Sequence, residues 1–186
     1  METLGVLMSI NYKADILFFD EDKSKPDYIR DSYRVIKNES LLKTHLQYNP
    51  CFVVAIGNPR IREKMMNRII NLGGIPTNIV GNKNINLSEI SENGSIIQPG
   101  VVISTNVIIG RACMIHANTV IGHSVKIGDF VSISPLVSVV GPCTIGNHTF
   151  IGAGSIILPK IIIGQHVVIG AGSKVDRNIE DFETFL

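Results

Sequence analysis

The side chains best suited to proton transfer at neutral pH are five histidines: His45, His116, His123, His148 and His166. Imidazole titrates near pH 7, so it serves as a general base or as a metal ligand. The spacings among the last four contain no pair typical of zinc ligands, so the sequence predicts no metal site. Most histidines at solvated bends are inert. With metal binding set aside, the chemical hypothesis is that one of the five transfers protons.

The element that positions four of these histidines is a repeat of six residues that runs without insertion or deletion. Fourteen positions in this register are β-branched aliphatics: Ile97, Ile103, Ile109, Ile115, Ile121, Ile127, Ile133, Val139, Ile145, Ile151, Ile157, Ile163, Ile169 and Val175. A six-residue period is typical of a parallel β-helix, in which three hexads form one triangular coil. The aliphatic residues are expected to point into the prism, with Gly, Asn and Pro at the bends. The spacing does not determine the hand of the helix.

Composition excludes several classes of protein. Seventeen Lys and Arg residues balance sixteen Asp and Glu residues, so there is no basic surface for nucleic acid. No apolar run reaches the roughly 18 residues that cross a bilayer, and no signal peptide is recognised. Cys113 and Cys143 take small inward positions of hexads, where burial is expected rather than redox or metal chemistry. We expect a cytoplasmic protein without membrane insertion.

Residues 1–76 contain no hexads and predict a small α/β domain. Buried strands are expected at 16–19 and 51–56, and a helix is expected after Asn58, with Ile61, Met65, Ile69 and Leu72 on its apolar face. A β-helix domain is predicted for 77–175, and 176–186 are predicted to cap its open end. Ile79 and Ile85 already lie on the hexad register, whereas Ser91 breaks it.

Several segments resemble a bacterial family of sugar acetyltransferases of the NeuD and PglD type. The central motif is Asn118–Phe130, NTVIGHSVKIGDF, followed by VSISP at 131–135. Further segments are GPCTIG at 141–146, TFIGAGS at 149–155, AIGNPRIR at 55–62 and FFDED at 18–22. The resemblance spans nearly the whole chain and implies a left-handed β-helix behind a Rossmann-like α/β domain.

The resemblance also implies a function and a set of site residues. It implies transfer of an acetyl group from acetyl-CoA to a sugar or nucleotide-linked amino sugar, in a homotrimer, for bacterial surface-glycan biosynthesis. His123 matches the catalytic base. Four positions match contacts to acetyl-CoA: Ser132, Gly141, Ala153 and Ala171. Three positions match the substrate site of the α/β domain: Asp20, Gly57 and Asn58.

The chain departs from the family pattern at several places. An acidic residue usually follows the catalytic histidine, where this chain has Ser124, and a second histidine often stands where it has Ser132. The family begins with a strand and a Gly-rich turn, which precede the position of Met1, so either the start codon is misassigned or the 1–76 domain lacks them. Two alternatives therefore stay open: an acyltransferase for a small molecule, similar to serine acetyltransferases, and a non-catalytic trimeric scaffold.

Overall fold

The hexads fold into a triangular parallel β-helix that carries a small α/β unit on one of its faces. The computed structural model describes residues 2–9, 15–90 and 93–186. Thirteen of the fourteen hexad aliphatics are buried inside the prism, and Ile109 is half-buried. Successive coils pair in register at eighteen residues, as between Met114–Ile115 and Ser132–Ile133. The fold prediction of a left-handed β-helix with a small N-terminal domain is confirmed.

Three sheets form the faces of the prism, and we number them in chain order within one coil. The first face has seven strands: Ile79–Val80, Ile96–Ile97, Met114–Ile115, Ser132–Ile133, Phe150–Ile151, Val168–Ile169 and Thr184–Phe185. The second face has six: Ile85–Asn86, Val102–Ile103, Val120–Ile121, Ser138–Val139, Ile156–Ile157 and Lys174–Val175. The third face has four: Ile108–Ile109, Lys126–Ile127, Thr144–Ile145 and Ile162–Ile163.

Each corner of the prism turns on a residue with left-handed backbone. Glycine or asparagine takes several of these positions, but Phe130, Leu136 and His148 do so as well, with φ between 57° and 62°. This conformation costs an L-residue about 1–2 kcal/mol, so the ladder must hold it in place. Pro142 is an exception at a corner, where the Gly141–Pro142 peptide bond is cis.

The β-helix starts one coil earlier than the uninterrupted hexads, and that coil is one residue short. Ile79 pairs with Ile96 and Ile85 with Val102, a separation of seventeen residues. The prediction that Ile79 and Ile85 share the inward register is therefore wrong, because Val80 and Asn86 take the positions below Ile97 and Ile103. Ser91 lies outside the described residues.

The segment 176–186 adds a last, shortened coil. Thr184–Phe185 pairs with Val168–Ile169 on the first face, and Ile179 bridges to Ile163 on the third. Phe185 also packs against the prism core. The open end is therefore covered by backbone pairing together with apolar contact.

In the part of the chain that the structure describes, the α/β unit contains three helices and two small sheets. Its helices are α1 (Glu2–Ser9), α2 (Glu39–Leu46) and α3 (Pro59–Asn71). One sheet has Phe18–Phe19 parallel to Tyr33–Ile36, which pairs antiparallel with Tyr28–Ile29. The other sheet pairs Cys51–Phe52 with Ile75–Pro76 in parallel. Both predicted strands are present but cover only two residues each. The prediction that they are buried is wrong, because Phe18, Phe19 and Phe52 are half-buried and Cys51 is exposed.

Helix α3 presents a different face to the core than its apolar pattern predicts. Arg62, Met66 and Ile69 are buried, whereas Ile61 is 53% exposed. Met66 and Ile69 join Ala112 and Phe130 of the β-helix in one hydrophobic cluster. The α/β unit and the β-helix therefore share a core.

Candidate active site

His123 lies on the corner between the second and third faces, two residues after the strand Val120–Ile121. Its side chain is exposed, and its Nδ1 lies 3.4 Å from the hydroxyl oxygen of Ser124. Ser124 takes the left-handed corner position, with φ at 57°. In the described part of the chain no carboxylate is recorded in contact with the His123 ring. The imidazole is thus presented to an incoming ligand.

Gly141 lies one coil above His123 on the same corner. A Cβ added at Gly141 would collide with the carbonyl oxygen of His123. Only glycine therefore allows the two coils to stack at this corner. The close contact of Gly141 with the His123 backbone helps to position the catalytic candidate.

A groove of about 400 Å³ runs from this corner onto the third face. Its lining residues are Ser124, Lys126, Pro142, Cys143, Thr144, Lys160, Ile161 and Ile162. Lys126 and Lys160 are exposed, and neither forms an ion pair within the described residues. The Cys143 thiol donates inward to the carbonyls of Val140 and Leu158, and burial raises the pKa of this thiol. The groove therefore offers two cations but no reactive thiolate.

Ala153 and Ala171 lie on a different corner, between the first and second faces. Both are exposed, and Gly172 N–H donates to the Ala153 carbonyl at 2.8 Å. Within one chain the whole second face separates them from His123. The structure thus divides four of the predicted residues into two pairs, His123 with Gly141 and Ala153 with Ala171.

Ser132 lies on the first face beneath the α/β unit. It is 4% exposed, and its hydroxyl accepts a hydrogen bond from Arg62 Nη2 at 3.0 Å. Within one chain Ser132 faces helix α3 rather than solvent, so its role toward acetyl-CoA stays a prediction.

The predicted substrate residues of the α/β unit fall in two places. Gly57 and Asn58 form the turn before α3, where the Asn58 Oδ1 accepts from the backbone N–H groups of Arg60 and Ile61. Asp20 follows the strand Phe18–Phe19, and its Oδ1 accepts from the backbone of Asp22. A cavity of about 280 Å³ lies next to the turn, lined by Asn58, Pro59, Arg60, His148, Phe150, His166 and Val168. Asp20 does not line this cavity.

Stacked rings on the third–first corner were not predicted. Phe130, His148, His166 and Phe182 stack in order, with centroids 5.3, 4.6 and 4.9 Å apart. Glu63 of α3 contacts His148 Nε2 at 2.9 Å. Burial, followed by the charges of His148 and Arg60, lowers the pKa of His166. The eighteen-residue spacing of the first three rings is the sequence signal that could have revealed this stack.

Two kinds of feature are absent from the described residues. In that part of the chain, no cluster of three or more His, Cys, Asp or Glu side chains is arranged to hold a metal ion. No helix that the structure describes is long and apolar enough to span a membrane.

Two family models match the chain, one in each half. The model of the bacterial transferase hexapeptide matches residues 124–157 and 142–177. The model of the PglD N-terminal domain matches residues 4–69. No curated protein sequence matches the chain significantly.

Solved structures share the fold over nearly the whole chain. A histidine-to-asparagine variant of perosamine N-acetyltransferase from Caulobacter crescentus, in complex with CoA and GDP-perosamine, matches with TM-score 0.87 and 21% identity, over 97% of this chain and 85% of its own. The acetyltransferase domain of PglB from Neisseria gonorrhoeae, in complex with acetyl coenzyme A, matches with TM-score 0.88 and 22% identity, over 98% and 88%. WeeI from Acinetobacter baumannii matches with TM-score 0.85 and 21% identity, over 98% and 89%.

The β-helix thus carries the hexapeptide repeat of bacterial transferases. The match to the PglD N-terminal domain indicates which hexapeptide-repeat transferases the chain resembles. The predicted resemblance to sugar acetyltransferases of the PglD and NeuD type is confirmed.

Proposed function

We propose that this protein transfers the acetyl group of acetyl-CoA to an amine or hydroxyl of a sugar, with a nucleotide-linked amino sugar as the favoured acceptor. The observation that carries the proposal is the exposed His123 imidazole beside a groove, in a chain that also has a PglD N-terminal domain. The neighbours that hold CoA with GDP-perosamine, or acetyl coenzyme A, support this choice of donor and acceptor. Bacterial surface-glycan biosynthesis is the pathway in which we place the reaction.

For acetyl transfer from a thioester, the protein needs to position the two substrates and to carry out one proton transfer. A thioester is already activated, so the acceptor nitrogen or oxygen attacks its carbonyl carbon once His123 removes the acceptor's proton. The tetrahedral intermediate then collapses, the carbon–sulfur bond breaks, and the CoA thiolate takes up a proton. Backbone N–H groups at the corners are suited to stabilise the oxyanion.

The two pairs of predicted residues meet only if copies of the chain associate. His123 with Gly141 and Ala153 with Ala171 occupy the two corners that bound the second face. We propose a homotrimer in which the second faces surround the threefold axis, because this brings one corner of each copy next to the other corner of its neighbour. The cleft then lies between the third face of one copy and the first face of the next.

The walls of this cleft suit the two substrates. Lys126 of the third face and Lys160 of the adjoining His123 corner present ammonium groups for the phosphates of acetyl-CoA. The cavity beside Asn58 on the first face is proposed to hold the acceptor. Replacing Lys160 by Met should raise the KM for acetyl-CoA but not for acetyl-pantetheine, which lacks the nucleotide phosphates.

The proposed function is tested by acetyl transfer in solution. The protein is incubated with acetyl-CoA and a panel of UDP- and GDP-linked amino sugars, sialic acid and serine, and thiol release is followed. We expect transfer to an amino sugar, reduced about 10²–10⁴-fold by His123→Ala, the usual effect of losing a general base. His45→Ala is the control, because His45 lies on α2 away from the groove.

Other outcomes identify the alternatives. Transfer to serine alone would make the protein a small-molecule acyltransferase. No transfer to any acceptor would favour a non-catalytic scaffold. An unchanged rate for His123→Ala would remove the assignment of His123 as the base. The three free cysteines fit the proposed location in the reducing cytoplasm.

A further inference from the structure

Arg62 of helix α3 is the most deeply buried charged side chain among the described residues, with 1% of its surface exposed. Toward the β-helix, its Nε donates to the Ala112 carbonyl at 2.9 Å. Its Nη2 donates to the Phe130 carbonyl at 2.7 Å and to the Ser132 hydroxyl at 3.0 Å. One edge of the guanidinium is thus bonded to two successive coils.

The other edge of the guanidinium binds the turn that precedes α3. Its Nη1 donates to the carbonyls of Ile56 and Gly57, at 2.7 and 3.0 Å. The next two residues, Asn58 and Pro59, line the cavity on the first face. A single side chain therefore ties this turn to the backbone of the β-helix.

We call the Arg62 side chain the anchor, and carbonyl dipoles rather than a carboxylate hold its guanidinium group. The contacts described for the guanidinium are backbone carbonyls, one hydroxyl and the Met114 sulfur. Burial lowers the pKa of Arg62 to about 10, so the group stays protonated at neutral pH. Burying a charge without a counterion is costly, and an apolar side chain in its place would leave these carbonyls without donors. A fork of five donors is, however, well suited to hold several carbonyls in one geometry.

We propose that Arg62 is a positioning residue for the acceptor, because it fixes the turn at Ile56–Asn58 against the first face of the β-helix. This inference rests on the proposed function, in which the turn contacts the acceptor. Ser132 is held independently by its backbone bond to Thr149, at 2.9 Å, so loss of Arg62 leaves the first face in place. Replacing Arg62 should therefore change kcat/KM for the acceptor but leave the KM for acetyl-CoA unchanged.

Arg62→Met and Arg62→Lys test the proposal against Arg68→Met as the matched control. Arg68 lies on the same helix and pairs with Glu21 and Glu39 at the surface, away from the turn. We expect Arg62→Met to lower kcat/KM for the nucleotide-linked amino sugar about 10–100-fold, since a displacement of about 1 Å is enough for such a loss. The KM for acetyl-CoA should stay within about twofold of wild type, and Arg68→Met should change neither constant.

Two further measurements separate positioning from folding. Added guanidinium ion should partly restore acceptor kcat/KM in Arg62→Ala, because it can occupy the vacated site and bond the same carbonyls. Hydrogen exchange should rise at the amides of Arg60 and Ile61, which donate to Asn58 Oδ1, in Arg62→Met and Arg62→Lys, while the β-helix amides keep their protection. Arg62→Lys keeps the charge with fewer donors, so it serves if the methionine variant fails to fold.

The outcomes distinguish this proposal from the proposed function. Unchanged acceptor kcat/KM in a folded Arg62 variant overturns the positioning role while wild-type transfer upholds the proposed function. A parallel loss for both substrates, without rescue by guanidinium, also overturns it and leaves a purely structural role. If the wild type transfers no acetyl group, unchanged exchange at the amides of Arg60 and Ile61 in the Arg62 variants still rejects the anchor.

Discussion

At the scale of single residues, the proposed base lacks the acidic neighbour that the family pattern leads one to expect. Ser124 places only a hydroxyl near His123 Nδ1, at 3.4 Å. Its left-handed backbone is one that Asp and Asn adopt more readily than most residues. The position can therefore accept a carboxylate without distorting the corner.

We predict that Ser124→Asp shifts the pH dependence of acetyl transfer. A carboxylate beside the imidazole stabilises its protonated form, so the acid limb of the pH–rate profile should move to higher pH and the base should become stronger. Ser124→Asn is the uncharged control of the same shape, and its acid limb should stay in place. Profiles of kcat/KM for the three proteins provide the measurement. Coincident limbs in the Asp and Asn variants would mean that this residue does not adjoin the working base.

We predict that Gly141→Ala impairs catalysis through the backbone of His123. The added Cβ meets the His123 carbonyl oxygen, so one of the two coils must shift. A shift of about 1 Å in the base lowers kcat about 10²-fold. Gly73→Ala is a useful control, because its Cβ would meet nothing within 4 Å and it follows α3, although its positive φ strains the backbone. If kcat survives in Gly141→Ala while it remains folded, the corner does not set the position of the base.

Motif resemblance predicts His123 as the base, but no pattern in the sequence points to Arg62 as an anchor. The apolar residues around it suggest a face through Ile61 and Met65, and an arginine in that pattern is expected to face solvent. Arg62 is buried because it donates hydrogen bonds to the carbonyls of Ala112 and Phe130, which are far away in sequence. Such partners are visible only once the fold brings them together.

At the scale of elements, the β-helix follows from local pattern because each strand repeats the same environment. The aliphatic period alone predicts which side chain enters the prism, and the buried set agrees from Ile97 to Val175 except at the half-buried Ile109. The short first coil and the strand Thr184–Phe185 were not predicted, since pairing there depends on neighbouring coils rather than on hexads. The two-residue strands of the α/β unit likewise owe their length to the partner strands available.

Helix α3 offers a test of whether Asn58 binds substrate or only caps the helix. Its Oδ1 caps two backbone N–H groups, which leaves the amide Nδ2 for a ligand. We predict that Asn58→Ala lowers the free energy of unfolding by about 1 kcal/mol, the usual effect of removing a cap. Asn58→Asp should keep that stability, because a carboxylate also caps, but should raise the acceptor KM. Thermal melts and steady-state kinetics give the two readouts, and an unchanged KM in the Asp variant would leave Asn58 a capping residue only.

At the scale of the whole molecule, the β-helix places the proposed site residues on separate corners of the prism. The proposed base and its glycine share one corner, the two alanines share another, and the α/β unit covers the first face between the remaining corner and the alanines. No single chain brings these groups together. The second face, bounded by both functional corners, is therefore the surface that we propose to be covered in the trimer.

We predict that Ile156→Glu dissociates the trimer, whereas Ile108→Glu does not. Both isoleucines point outward from the prism and are substantially exposed in one chain, 45% for Ile156 and 60% for Ile108. Ile156 lies on the second face and Ile108 on the third, so only the first substitution buries three carboxylates around the threefold axis. Light scattering at micromolar concentration should give a trimer for wild type and Ile108→Glu, and a monomer for Ile156→Glu. Because the cleft needs two copies, the monomer should also lose acetyl transfer although its own His123 is intact. A monomeric wild type would refute the assembly, and dissociation by Ile108→Glu instead would place the third face at the axis.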